Sequence, residues 1–214
     1  MAIDIENNTS GFFYKLKNKN KDFTLIARDC IGGIVYNQLG LRFLSPTINL
    51  FFIPEDFNDF CLHLKEYING DLKEFKDENT NYPVGIIYPS KNTSVNKPIR
   101  VDFMHYESFE KAKAKWDERK SRINWNNLFV VSSLCYPKEI NSLSDKLVTE
   151  WNQIKYKKVI FVDKPYGFDD EFVIAKPKKC DEYAWLLCST NKKNPWKRVF
   201  NKFDFIKFLN NSKV

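Results

Sequence analysis

The chain has 214 residues, of which 43% are hydrophobic and 29% charged, and its formal net charge is +7. This balance argues against global disorder, and no stretch approaches the roughly 18 consecutive apolar residues of a membrane span. The amino terminus has no signal-peptide pattern, so we expect a cytoplasmic protein. The length suits one sizeable core, which predicts a single domain over 1–214 with a loose segment at 1–20 and a tail at 210–214.

The cysteine count and the distribution of charge argue against a disulfide-stabilised protein, a zinc protein and a nucleic-acid-binding protein. Five cysteines form an odd number without metal-ligand spacing, which favours free thiols over a disulfide framework or a zinc site. No cofactor motif is recognisable, and the cofactor stays unknown. The basic residues are spread along the chain without a stripe of arginine and exposed aromatics, so nucleic acid is not the expected partner.

The first half of the chain alternates between strand and helix signals. Residues 23–27 form an apolar run that predicts a strand, followed by a glycine turn and a short helix at 34–39. Residues 48–53 are strand-like. Pro54 then begins a helix whose apolar positions continue to Ile68 at helical spacing.

In the middle of the chain, two strands at 84–88 and 99–106 are joined by a polar loop, which predicts an antiparallel pair. A helix is expected at 108–122, where Arg119 interrupts an otherwise apolar stripe.

The last part begins with a strand at 128–133, a helix at 142–154 opened by a capping pattern at Ser142, and a strand at 158–163. This β-α-β unit predicts a parallel pair. A short strand at 172–175 and a terminal helix at 203–209 follow, while 183–188 is ambiguous. The alternation indicates an α/β protein with three α/β/α layers and a mixed, partly parallel sheet.

Cys30 is the residue that stands out chemically, because it follows a predicted strand and precedes Gly32, Gly33 and a helix start. Ligands of open α/β sheets bind beyond the carboxyl ends of strands, and a helix amino terminus favours a thiolate. Packing of a buried cysteine is the alternative. Of the two histidines, His105 lies at a strand end, where a general base or a core histidine would fit, with Asp29 or Asp102 as orienting acid.

Other polar residues are candidates for binding. The hydroxyls of Ser45 and Thr47 would suit a sugar or phosphate, although turn formation also explains them. Arg119 and Arg122 bring two guanidinium groups within one helical turn, which suits phosphate or carboxylate, while packing of Arg119 along Trp116 is the structural alternative.

Five ordered blocks resemble a known family: residues 30–36 (CIGGIVY), 39–52 (LGLRFLSPTINLFF), 82–85 (YPVG), 103–106 (FMHY) and 116–124 (WxxRxxRIN). Together they resemble the bacterial family called domain of unknown function 1919, whose members are often labelled exopolysaccharide biosynthesis proteins. The resemblance implies a three-layer α/β fold and a role in making surface polysaccharide or capsule. It marks as site candidates Cys30, Gly32, Gly33, Ser45, Pro46, Thr47, His105, Trp116, Arg119, Arg122 and Asn124.

Two functions compatible with this resemblance remain open. The first is a transferase that modifies a glycan precursor, with Cys30 as nucleophile or ligand contact and His105 as base. Arg119 and Arg122 would hold the anionic part of the donor. The alternative is a non-catalytic component of a biosynthetic assembly that binds a glycan or a nucleotide sugar. Either function implies a sugar or activated sugar as ligand, and peripheral contact with a membrane-bound polysaccharide assembly.

Overall fold

A computed structural model describes residues 14–91, 93–134, 137–141, 143–174 and 203–211 of the chain. The ambiguous segment 183–188 and the predicted cap Ser142 lie outside the described residues. In the part that the structure describes, no helix has the length and apolar character needed to cross a membrane.

The described residues form seven strands and seven helices of five or more residues. The strands are β1 (Thr24–Ala27), β2 (Asp71–Phe75), β3 (Val84–Tyr88), β4 (Ile99–Asp102), β5 (Leu128–Ser133), β6 (Lys157–Val162) and β7 (Glu171–Val173). The helices are α1 (Ile31–Leu39), α2 (Pro54–Leu62), α3 (Leu64–Ile68), α4 (Phe109–Lys120), α5 (Pro137–Asn141), α6 (Asp145–Gln153) and α7 (Phe205–Asn210).

The central sheet is parallel, with strand order β1-β5-β6-β7. Every residue of β1 and β5 is buried, as expected for parallel strands covered on both faces. Alternate strand residues enter two separate apolar clusters. Leu25 and Phe129 pack with α1 and α7 on one face, whereas Ile26 and Val130 pack with α2, α4 and α6 on the other. Helices therefore cover both faces of the parallel sheet.

A second, antiparallel sheet has the order β2-β3-β4. The predicted pairing of β3 with β4 is confirmed, but β2 was not predicted. Only Leu72 of β2 is buried, and its neighbours include Asp71, Lys73 and Glu74. An edge strand of this kind lacks the apolar alternation that identifies a strand in sequence.

The α/β class is confirmed, with parallel and antiparallel pairs divided between two sheets. The strand predicted at 48–53 is wrong: it is reduced to one isolated bridge between Phe51 and Asp102. The backbone at Asn49 is left-handed, with a φ of 60°, which interrupts an extended strand. The helix predicted from Pro54 to Ile68 is divided at His63, whose φ of −123° and ψ of 41° are not helical.

The first residues of α1 and α6 differ from the prediction, whereas that of α4 agrees with it. Helix α1 begins at Ile31, so Gly32 and Gly33 lie inside the helix and do not form the predicted turn. Helix α4 begins as expected, with the Ser108 hydroxyl accepting from the Lys111 N–H at 3.3 Å. Helix α6 begins after Ser144, whose hydroxyl accepts from the Leu147 N–H at 3.2 Å.

The described end of the predicted loose segment, residues 14–20, is attached to the fold at its last three residues. Asn18 is buried, and the Asn20 side chain donates to the Leu209 carbonyl at 2.8 Å. The Asn210 side chain in turn accepts from the backbone N–H groups of Lys19 and Asn20. These bonds attach residues 18–20 to the end of α7.

Candidate active site

Cys30 and His105 meet in the structure. Sγ of Cys30 lies 3.1 Å from Nε2 of His105, across 75 positions of sequence. Cys30 is half-buried at the start of α1, just beyond the carboxyl end of β1, and His105 is exposed in the loop after β4. The thiol and the imidazole are therefore within hydrogen-bond distance at a sheet edge that solvent can reach.

The segment 51–52 brings the two residues together. Phe51 exchanges two backbone hydrogen bonds with Asp102, at 2.8 and 2.9 Å, and so attaches to the end of the strand that leads to His105. The next N–H, of Phe52, donates to the Arg28 carbonyl at 3.0 Å, two residues before Cys30. One short backbone segment thus links both halves of the Cys–His pair.

The thiol of Cys30 is protonated at neutral pH. Burial, and secondarily the negative charge of Asp29, raise the pKa of Cys30 to about 12. The resting state is therefore a thiol next to an imidazole, which can donate its proton to Nε2 when that nitrogen is unprotonated. Such a pair forms the thiolate by proton transfer during attack.

No carboxylate orients His105 among the described residues. Asp29 accepts from the Ile31 N–H at 2.9 Å and from the Ser133 hydroxyl at 2.6 Å, so it caps α1 and ties it to β5. Asp102 accepts from Nε of Arg100 at 2.7 Å. Neither acid has the orienting contact that the sequence suggested.

Arg28, two residues before Cys30, forms a buried ion pair that the sequence analysis did not predict. Its guanidinium has no exposed surface and contacts Glu139 of α5 at 2.6 Å, the Phe52 carbonyl at 3.1 Å and the Ser133 hydroxyl at 3.4 Å. An arginine directly after a fully buried strand was the available signal, since lone buried charges are strongly unfavourable.

Gly32 and Gly33 are explained by close packing. A Cβ at Gly32 would lie 2.8 Å from the Cβ of Ala27, and a Cβ at Gly33 would lie 2.7 Å from Oδ1 of Asn49. A larger residue at Gly32 would push α1 away from β1, whereas one at Gly33 would displace the end of the Asn49 side chain. Their predicted role in substrate binding stays a prediction, and their packing role is evident.

Ser45 and Thr47 are fully buried and satisfied within the protein. Their hydroxyl oxygens lie 2.9 Å apart, and Oγ1 of Thr47 accepts from the Ala27 N–H at 2.9 Å. These bonds anchor the segment that follows Pro46 to the end of β1. A direct contact of either hydroxyl with substrate remains an untested prediction.

Arg119 lies in an aromatic pocket next to His105. It is 9% exposed, its guanidinium stacks 5.1 Å above the Phe43 ring, and Nη1 donates to the Tyr106 hydroxyl at 2.7 Å. That hydroxyl donates to the Ile48 carbonyl at 3.0 Å. Among the described residues, Arg119 has no carboxylate partner. Tyr106, the residue after His105, was not predicted as a site residue.

The other predicted binding residues are engaged in the fold. Trp116 is 2% exposed and packs near Phe60 in the core. Arg122 donates to the Phe43 carbonyl at 3.2 Å and pairs with Glu118. The backbone N–H of Asn124 donates to the Thr24 hydroxyl at 2.8 Å. The structure gives each of the three a packing or bonding role, and leaves substrate binding as a prediction.

A family model described as "Domain of unknown function (DUF1919)" matches residues 2–210. The chain belongs to this family. The resemblance inferred from the sequence blocks is thus confirmed at family level.

A DUF1919 relative has been sequenced from Haemophilus influenzae (strain ATCC 51907 / DSM 11121 / KW20 / Rd). That "Uncharacterized protein" is 28% identical over 200 residues, which cover 92% of this chain and 88% of the relative. The similarity extends over nearly the whole of both chains and carries no description of activity.

Proposed function

We propose that this DUF1919 protein is a cysteine-dependent acyltransferase that modifies a glycan precursor. The observation that carries the proposal is the 3.1 Å contact between Sγ of Cys30 and Nε2 of His105. A nucleophile and a base within hydrogen-bond reach, at the carboxyl end of a parallel sheet, form the minimal arrangement for covalent acyl transfer. The glycan acceptor and a place in exopolysaccharide or capsule synthesis follow from the role that the sequence resemblance implies, and the cytoplasmic location follows from the sequence-based expectation.

The proposed reaction has two steps. In the first, Sγ of Cys30 attacks the carbonyl carbon of an acyl thioester donor while its proton passes to Nε2 of His105. The leaving thiolate departs with that proton, which gives an acyl-cysteine. In the second, His105 removes the proton of a sugar hydroxyl, which attacks the acyl carbon and forms the ester. The Cys30 thiol is regenerated when it takes the proton back.

Arg119 supplies the charge that an anionic donor needs. The Arg119 guanidinium is 9% exposed and contacts the Tyr106 hydroxyl and the Phe43 ring, and with no carboxylate partner among the described residues its charge is available to an anionic ligand. Tyr106, which contacts Arg119, directly follows His105, so the guanidinium is connected through one residue to the loop that carries the base. We assign Arg119 to the phosphate or carboxylate of the donor, and Arg122, already paired with Glu118, to a supporting role.

The acyltransferase is tested with p-nitrophenyl acetate as donor probe and the full chain. We expect one acetyl group on Cys30, located by peptide mass spectrometry, and no acetylation of the buried Cys61. Cys30→Ala abolishes the adduct, and His105→Gln slows its formation by about 100-fold because the base is lost. Transfer from acetyl-coenzyme A to an oligosaccharide acceptor completes the reaction. Unchanged acetyl transfer in Cys30→Ala would show that Cys30 is not the nucleophile.

The alternative is a non-catalytic binder of glycans or nucleotide sugars. It is supported by the place of the Cys30–His105 pair, a polar contact at the carboxyl end of the parallel sheet, where α/β proteins bind ligands with or without catalysis. A rise in the thermal midpoint with oligosaccharides or nucleotide sugars, without acetylation of Cys30, would support this role over catalysis.

A further inference from the structure

Asn49 has a left-handed backbone, a conformation that few residues other than glycine adopt and that asparagine tolerates best among them. Its φ is 60°, and in the described part of the chain Asp170 is the other non-glycine residue with positive φ. A left-handed side-chain-bearing residue is less stable by about 1–2 kcal/mol, so the surrounding structure must impose it. Such residues concentrate at functional sites, where the conformation positions a side chain.

The contacts on both sides of Asn49 hold it in place. The preceding residue, Ile48, accepts from the Tyr106 hydroxyl at 3.0 Å and packs against Gly33. Two residues later, Phe51 is bonded to Asp102. Asn49 therefore lies between the first turn of α1 and the chain that carries His105.

The side chain of Asn49 reaches the first turn of the helix that Cys30 begins. Its Oδ1 lies 2.7 Å from the position that a Cβ of Gly33 would occupy. Residues three apart in a helix share a face, so Gly33 is on the same side of α1 as Cys30. Asn49 thus occupies the space that the missing side chain at Gly33 leaves open.

The amide of Asn49 is half-buried and makes no hydrogen bond to any of the described residues. A side-chain amide carries two N–H donors and an acceptor oxygen. This amide lies against the first turn of the helix that Cys30 begins, and the described residues leave its hydrogen-bonding groups unused. Its Nδ2 is therefore available to a ligand that accepts a hydrogen bond.

We propose that Asn49 is a catalytic residue that donates a hydrogen bond from Nδ2 to the carbonyl oxygen of the acyl donor. This inference rests on the acyltransferase function proposed above. When Sγ of Cys30 bonds to the carbonyl carbon, the π electrons move to oxygen and the thiol proton moves to Nε2 of His105. The Asn49 amide stabilises the resulting oxyanion until the C–O double bond re-forms and the leaving group takes the proton.

Two variants and two reagents separate this role from a structural one. Asn49→Gly removes the amide and suits the positive φ, whereas Asn49→Asp keeps the shape and replaces the donor with a carboxylate. Acetylation of Cys30 by p-nitrophenyl acetate passes through an oxyanion. Alkylation of Cys30 by iodoacetamide displaces iodide at a saturated carbon and forms none. The ratio of the two rates in each variant reports the oxyanion contact alone.

We expect the ratio of acetylation to alkylation to fall about 100-fold in Asn49→Gly and at least as far in Asn49→Asp. Thermal midpoints of both variants are measured to confirm that the fold is intact. A ratio equal to that of the wild type in both variants would overturn the role of Asn49 while leaving the acyltransferase standing. A wild-type chain that iodoacetamide alkylates at Cys30 but p-nitrophenyl acetate never acetylates would overturn both.

Discussion

The guanidinium of Arg28, which is completely buried, contacts the carboxylate of Glu139 at 2.6 Å. This pair connects the end of β1, two residues before Cys30, with the short helix α5 that follows β5. Because the pair is buried, removal of either partner is strongly destabilising: it leaves a desolvated charge that faces a neutral group.

Glu139→Gln is therefore expected to lower the free energy of unfolding by about 3 kcal/mol. The matched control is Glu107→Gln, which breaks the exposed pair with Lys111 and should leave the free energy of unfolding nearly unchanged. Urea unfolding of both variants measures the difference. Equal losses would show that burial of the Arg28 pair contributes nothing beyond a surface contact.

The reactivity of Cys30 should increase with pH far beyond the range of an ordinary thiol. Because burial and the charge of Asp29 raise the pKa of Cys30 to about 12, the thiolate fraction grows about tenfold per pH unit between pH 7 and 10. Iodoacetamide alkylation of Cys30, followed by peptide mass spectrometry, measures this slope. Asp29→Asn removes the smaller cause of the shift and should accelerate alkylation at pH 8.

A rate that levels off below pH 8 would contradict the protonated resting state of Cys30. It would indicate a thiolate already paired with a charged His105, as occurs where a neighbouring cation lowers a thiol pKa.

Gly32 and Gly33 should respond differently to alanine. In Gly32→Ala the new Cβ meets the Cβ of Ala27 at 2.8 Å, and neither the strand nor the helix can yield cheaply, so we expect a loss of about 1–3 kcal/mol of stability. In Gly33→Ala the new Cβ meets the end of the Asn49 side chain, which can rotate away. Stability should change little, while acetylation of Cys30 slows because the amide is displaced. Thermal unfolding and the acetylation assay are measured on both variants. Equal losses of stability in Gly32→Ala and Gly33→Ala would contradict the prediction.

Arg119 should bind an anion without help from Arg122. Inorganic pyrophosphate at about 100 times its Kd should add about 2.7 kcal/mol to stability and raise the thermal midpoint by about 5–10 °C. Arg119→Met keeps the apolar stem over Phe43 and removes the charge, so the shift should disappear. Arg122→Met serves as control and should keep it, because Arg122 is paired with Glu118. A shift retained in Arg119→Met and lost in Arg122→Met would reverse the assignment.

Helices and strands with regular apolar spacing were predictable from sequence, and elements shaped by their neighbours were not. The fully buried strand β5 and the capped helix α4 were identified at nearly their observed bounds. The edge strand β2 carries charges on most of its positions and was missed. The apolar run at 48–53 looked like a strand, but the bonds of Ile48 and Phe52 go to Tyr106 and Arg28 and not to a ladder partner.

The same division applies to the site. Cys30 was identifiable because a cysteine between a strand and a pair of glycines has an unusual local context, and His105 because the chain has only two histidines. Asn49 and Tyr106 lay within blocks that resembled the family, yet nothing in their local sequence set them apart. Their importance depends on contacts with Gly33 and Arg119, which are distant in the chain.

The sequence by itself determined the α/β class, the family and the residue types available for chemistry, because apolar periodicity and ordered motif blocks are local properties of the chain. Only the tertiary structure decided that Cys30 meets His105, that Arg119 is buried without a described carboxylate partner, and that Asn49 faces the first turn of α1. Those relationships arise because the segment 51–52, bonded to Asp102 at the end of β4 and to Arg28 after β1, brings together loops that are 75 residues apart. Packing of this kind depends on the sum of many weak long-range contacts, which no single stretch of sequence contains.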